Sequence, residues 1–127
     1  MTEQISLEKI QTLLLDHVAA TDDMPFGPDV IVYRVCGKMF ALLAWKEAPM
    51  FINLKCDPFQ AELLRAEYPA VKPGYHMNKK HWNSVCLDGS VPWPLVCQLA
   101  DDSYELIVAG LKKSEREALK KGGRFLV

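Results

Sequence analysis

"VIVYRVCGKMFALLAW", Val30 to Trp45, is dense in β-branched, aromatic and aliphatic residues and is broken by one glycine. Gly37-Lys38 divides it into two strand-like halves, Val30–Cys36 and Met39–Trp45, because glycine readily supplies the positive φ of a tight hairpin. "KEAP" (46–49) makes a second turn, and "MFINLKC" (50–56) a third strand. Three strands joined by such short turns form an antiparallel meander, since a parallel pair needs a long crossover. Their alternation leaves one apolar face, which amphipathic helices must cover.

The flanks supply those helices. "SLEKIQTLLLDHVAA" (6–20) places Leu7, Ile10, Leu14 and Val18 at helical spacing behind Ser6, a suitable N-cap. "TDDMPFGPD" (21–29) ends it with two prolines and a glycine, and Phe26 reads as a plug sealing the helix-to-sheet junction. "DPFQAELLRAEYP" (57–69) opens with Asp57 as N-cap and Pro58 at the first helical position, with Leu63, Leu64 and Tyr68 as its inner side. After "DGSVP" (88–92), with Ser90 as its N-cap, a last helix carries Leu95, Leu99, Tyr104, Leu106 and Leu111, bent at Asp101-Asp102-Ser103. The pattern is one α+β domain over residues 1–112, followed by a basic tail, 113–127, read as a short frayed helix and a flexible "GGRFLV".

The chain has 127 residues and a net charge of -1, enough length for one unstapled core and no global attraction for nucleic acid. Charge is segregated, however. Residues 1–29 hold six acids against Lys9, residues 68–87 hold three lysines and no acid, and residues 112–127 hold six bases against Glu115 and Glu117. No apolar run is long enough to span a membrane, and "MTEQISLEKI" has no basic, apolar leader, so a cytoplasmic protein is expected. Cys36, Cys56, Cys86 and Cys97 form no CxxC pair, which argues against structural zinc and favours small buried hydrophobes.

"GYHMNKKHWNSVCLDGS" (74–90) is the richest stretch in chemistry. His76 and His81 stand five apart, a spacing that suits metal ligation on neither helix nor strand, and Tyr68 to Val85 holds no carboxylate or thiolate. No nucleophile elbow, HExxH, P-loop or Rossmann glycine pattern occurs, so neither catalytic residues nor a cofactor are expected. Drawn as strand, turn and strand from Tyr75 to Leu87, it bends at Asn78-Lys79-Lys80, with Asn78 capping the turn through its own side chain. The same hairpin can act as a wing on nucleic acid, lysines meeting phosphates and rings supplying stacking. A peptide-binding adaptor using a sheet edge near "PMFIN" (49–53) or an apolar patch is the alternative.

Taken together, "PFGPD" (25–29), "GKMFALL" (37–43), "INLKCDP" (52–58), "LLRAEYPAVKPGYHMNKKHWNSV" (63–85), "LDGSVP" (87–92) and "DDSYELIV" (101–108) resemble the MmcQ/YjbR family. The resemblance implies a secretion-chaperone-like, double-wing α+β fold in the order helix, three strands, helix, two strands, helix, with an antiparallel sheet. It also implies a non-enzymatic DNA-binding module. Carried over by position, the contact residues are Tyr75, His76, Asn78, Lys79, Lys80, His81, Trp82 and Asn83, and Lys72 joins Lys79 and Lys80 as a cation giving affinity. The tail bases Lys112, Lys113, Lys120, Lys121 and Arg124 would assist.

Overall fold

The computed structural model describes residues 4–125, with side chains as far as Lys121. Along the chain run α1 (Leu7–Leu15), β1 (Thr21–Asp23), β2 (Ile31–Val35), β3 (Lys38–Ala44), β4 (Phe51–Lys55) and α2 (Pro58–Glu67), then β5 (Val71–Pro73), β6 (Trp82–Cys86), α3 (Trp93–Ala109) and α4 (Lys113–Phe125). The strands form one antiparallel sheet in the order β1-β2-β3-β4-β6-β5. This is the expected α+β fold with one strand more: Thr21–Asp23, read from sequence as loop, pairs with Val32–Arg34.

The deciding hairpin turns one residue earlier than expected, at Cys36-Gly37, with φ of 49° and 77°. Two positive φ angles are the mark of a type I′ turn, whose twist matches that of the strands. Further along, Tyr33 pairs with Ala41 and Arg34 with Met39, so Phe40 is the extra residue of a β-bulge. A bulge leaves ladder groups unpaired. Here Ser103 Oγ donates to the Phe40 carbonyl at 2.6 Å and accepts the Lys55 N–H at 2.8 Å. Asp101-Asp102-Ser103 therefore does not bend the last helix. It runs unbroken, with Ser103 buried at its contact with the sheet.

The core lies on one face of the sheet. Ile31, Leu43, Ile52, Val85 and Val71 stand in register across five strands, all buried. Against them α1 lays Ile10 and Leu14, α2 lays Ala61 and Leu64, and α3 lays Val96, Leu99 and Ala100. Each fully buried Val, Leu or Ile side chain contributes about 1.5–3 kcal/mol relative to exposure. Leu63 is not among them; one residue from Leu64, it turns about 100° away and is exposed.

The helix starts follow local chemistry. Ser6 accepts the Lys9 N–H at 3.2 Å, and Asp57 accepts those of Phe59 and Gln60 at 3.1 and 3.2 Å. Such caps contribute about 1 kcal/mol each. Ser90 does not cap α3: it bonds Asp88 instead, and Pro92 holds the cap position without a side-chain bond. His17 joins α1 to α3, with Nε2 2.8 Å from Asp101 Oδ1. The helix α4 reaches further than the short frayed one expected. Leu119 packs against the core, while Lys112, Lys113, Lys120 and Lys121 are exposed. The Arg124 side chain, and Leu126-Val127 of the tail, lie outside the described residues. No helix among the described residues is long and apolar enough to cross a membrane.

Two stability changes follow. Cys36→Asn is expected to raise the urea midpoint, because asparagine tolerates the left-handed conformation that costs most L-residues roughly 1–2 kcal/mol. Tyr33 is buried with no well-formed bond to its hydroxyl, and burial pushes the phenol up to about 12, an effect the Gln11 side chain offsets only in part. Removing the unpaired hydroxyl with Tyr33→Phe is expected to leave stability unchanged or to raise it by up to about 1–3 kcal/mol. A clear loss in the same titration would contradict that account.

Candidate functional site

The opposite face of the sheet carries a second row in register: Asp23, Val32, Leu42, Asn53, Ser84 and Lys72, one from each strand. Acid stands at one edge, base at the other, and two polar side chains sit over the β4–β6 pair. Those two hold the 74–81 loop. Asn53 Nδ2 donates to the Tyr75 carbonyl at 3.0 Å, and Asn53 Oδ1 accepts from Ser84 Oγ. Ser84 Oγ in turn accepts the Tyr75 N–H at 2.9 Å. Both backbone groups of Tyr75 are thus bonded to the sheet beneath.

The far end of the loop is held from the helical side. Arg65 Nε donates to Asn83 Oδ1 at 2.7 Å, and Arg65 Nη2 donates to the carbonyls of Lys79 and Trp82. Asn83 Nδ2 reaches the Ala61 carbonyl at 3.4 Å. Asn78 caps the turn as expected, its Oδ1 accepting the Lys80 N–H at 3.0 Å. Where the loop closes, Gly74 is required: a Cβ there would lie 2.8 Å from Trp82 Cβ and 3.0 Å from its carbonyl oxygen.

These contacts reshape the expected hairpin. The strand before the bend is Val71–Pro73, and Tyr75 and Met77 belong to the loop, because the Met77 N–H turns back to the Gly74 carbonyl and His76 adopts a φ of 59°. Of the nine expected contact residues, Lys72, Tyr75, His76, Asn78, Lys79 and Lys80 are exposed. His81 and Trp82 are half-buried. Asn83 is 2% exposed and faces α2, so it belongs to the scaffold and not to a contact surface. Nor do the lysines form one cluster. Lys80 borders a hollow beside Phe59 and Glu62 of α2, whereas Lys72 borders another beside Pro49 and Cys86.

Beside Tyr75 opens a hollow of about 780 Å³. Met39, Leu42 and Ala44 make its floor, with Phe26 on one side and Tyr75-His76-Met77 on the other. Among the described residues, strands and loops line it and no helix residue does. Phe26, read from sequence as a plug, is 69% exposed and stands at its mouth. Tyr75 is 60% exposed, its ring 4.0 Å from that of His76 and edge-on to Phe51 at 6.0 Å. The left-handed backbone at His76 costs of order 1–3 kcal/mol, and such strain concentrates at ligand clamps. Lys46 and Asp29 pair across the rim at 3.4 Å. Sequence reasoning missed this hollow because its walls come from loops about fifty residues apart.

Among the described residues, no group of three or more His, Cys, Asp or Glu is placed to hold a metal ion. The cysteines are not all buried. Cys56 is buried and Cys86 and Cys97 half-buried, and burial pushes all three thiols up, whereas Cys36 is exposed at its turn.

The family model described as YjbR matches residues 15–106. YbdF of Escherichia coli O157:H7 is 43% identical over 98 residues, covering 77% of this chain and 80% of that protein. YjbR of Escherichia coli K12 is 40% identical over 81 residues, covering 64% and 69%. Among solved structures, a Deinococcus radiodurans protein with a DUF419 domain superposes with a TM-score of 0.85 at 35% identity, over 92% of this chain and 88% of its own. A Pseudomonas syringae protein gives 0.70 at 29%, over 80% and 98%.

Arg65→Leu keeps the aliphatic stem but leaves Asn83 Oδ1 and the Lys79 carbonyl without their donor, the Trp82 carbonyl keeping the Gly74 N–H, and is expected to cost roughly 1–3 kcal/mol in urea unfolding. No measurable loss would mean that the clamp is idle. With a disulfide reagent, Cys36 is expected to react first in the native state, and Cys36→Ser to remove the fast phase.

Proposed function

The chain belongs to the YjbR family, and we propose that it serves as a non-enzymatic DNA-binding module whose contact surface is the 74–81 loop. One observation carries the reading. Lys72, Lys79 and Lys80 are exposed, enter no ion pair among the described residues, and flank in sequence the exposed rings of Tyr75 and His76 on a loop pinned at both ends. Free cations meet phosphates without first breaking an internal pair, and a pinned loop loses little entropy on docking. Exposed rings beside them offer flat surfaces to bases. The net charge of -1 makes the surface one-sided, the acids of β1 standing at the opposite sheet edge from Lys72. The non-enzymatic part is supported by the two histidines: His76 lines the hollow, and His81 does not. The proposal carries with it a cytoplasmic setting, where an exposed thiol such as Cys36 stays reduced.

A second reading, a protein- or peptide-binding adaptor, is favoured by the hollow itself and by exposed Met24 and Phe26. It has to use that apolar patch. "PMFIN" (49–53), the possible edge in the sequence, leads into β4, which lies inside the sheet between β3 and β6. The true edges, Thr21–Asp23 and Val71–Pro73, are three residues long and carry two aspartates, or a lysine and a proline, features that discourage strand addition.

Fluorescence anisotropy of a labelled random duplex at about 50 and about 200 mM salt separates the readings. DNA binding predicts affinity that falls steeply with salt. Lys79→Ala with Lys80→Ala is expected to weaken it and to flatten the logarithmic salt slope by about two, at about 0.9 per phosphate contact. Unchanged affinity in the folded double variant would remove the loop from the contact surface.

A further inference from the structure

The rings are placed for a particular form of nucleic acid. Phe26, Phe51, Tyr75 and His76 surround or border an open apolar hollow on the uncovered face of an antiparallel sheet. In a duplex, each base has both faces covered by its neighbours and presents only its edges. A ring-lined hollow therefore gains little from paired DNA. An unpaired base has free faces and an apolar body, and the hollow, at about 780 Å³, has room for more than one.

The charges agree with this placement. At the Phe26 end the rim charges Lys46 and Asp29 pair with one another at 3.4 Å. At the Tyr75 end Lys72, in no ion pair among the described residues, borders a second hollow of about 410 Å³ that shares Phe51 and Tyr75 with the first, whereas Lys80 borders the hollow beside Phe59 and Glu62 of α2. Glu47 also stands where the two hollows meet, so a polyanion is steered to the loop side of the trough and away from the β3–β4 turn.

We propose that the preferred ligand is single-stranded nucleic acid, its bases entering the hollow against Phe26, Tyr75 and His76 while its phosphates run past Lys72. This rests on the DNA-binding reading and adds the strandedness and the base-contacting residues. The left-handed backbone at His76 accompanies an imidazole held 4.0 Å from the Tyr75 ring at a tilt of 52°, so that the two rings offer separate faces to unpaired bases.

The test compares labelled oligothymidylate of about 12 nucleotides with a duplex of equal length by anisotropy at about 50 mM salt. The single strand is expected to bind at least tenfold more tightly. Tyr75→Ala and Phe26→Ala, both exposed and outside the core, are each expected to weaken oligothymidylate roughly tenfold, and Phe26→Ala, which lies outside the 74–81 loop, to leave duplex binding little changed. Circular dichroism and the urea midpoint check that both variants fold. Duplex bound as well as single strand, with neither substitution felt, would overturn this inference and leave the DNA-binding reading standing. If neither DNA binds, both fall, and the hollow passes to the peptide reading.

Discussion

Two asparagine amides on the central strand pair β4–β6 hold the surface on which the functional reading depends. Asn53 faces the uncovered side of the sheet and Asn83 the helical side, and each is almost fully buried. Burying a primary amide without partners is costly, so each specifies where its partners must stand. For Asn53 these are the Tyr75 carbonyl and the Ser84 hydroxyl. For Asn83 they are Arg65 and the Ala61 carbonyl. One amide fixes the start of the 74–81 loop and the other, through Arg65, its end. What the loop exposes between them, two rings and two lysines, is free of structural duty.

That division of labour explains why the polar stretch looks functional throughout and is so only in part. Asn78, Asn83 and Ser84 are spent on geometry, as are the backbone groups of Tyr75, Lys79 and Trp82. Tyr75, His76, Lys79 and Lys80 keep their side chains for solvent or ligand. The sheet is divided likewise: one face packs against α1, α2 and α3, while the other is left open with a hollow whose walls are loops. The sheet edges, short and charged, discourage strand addition.

Much of the fold was legible because its causes are local. The meander around Gly37, the caps Ser6 and Asp57, the proline at 58 and the Asn78 turn each rest on residues within a few positions of one another. What was not legible depends on distant partners. Ser103 was read as part of a bend because its task is to satisfy the Phe40 carbonyl, 63 residues away, and the Lys55 N–H, 48 away. Asn83 was taken for a contact residue because its partner Arg65 lies on another element. Phe26 was read as a plug because nothing in "MPFGPD" tells that the hollow beside it is built from β3 and the 74–81 loop.

The central claim is that this loop is held to the sheet as firmly as the strands that flank it. Amide hydrogen exchange at Tyr75, whose N–H is bonded to Ser84, and at Lys80, whose N–H is bonded to Asn78, measures that directly. The account predicts that the Tyr75 amide exchanges nearly as slowly as those of β6, with protection lost in Asn53→Ala, and that Lys80 is slower than a free-loop amide. Exchange of both at unprotected rates in the native protein would contradict it, leaving the rings and lysines with no fixed surface to share.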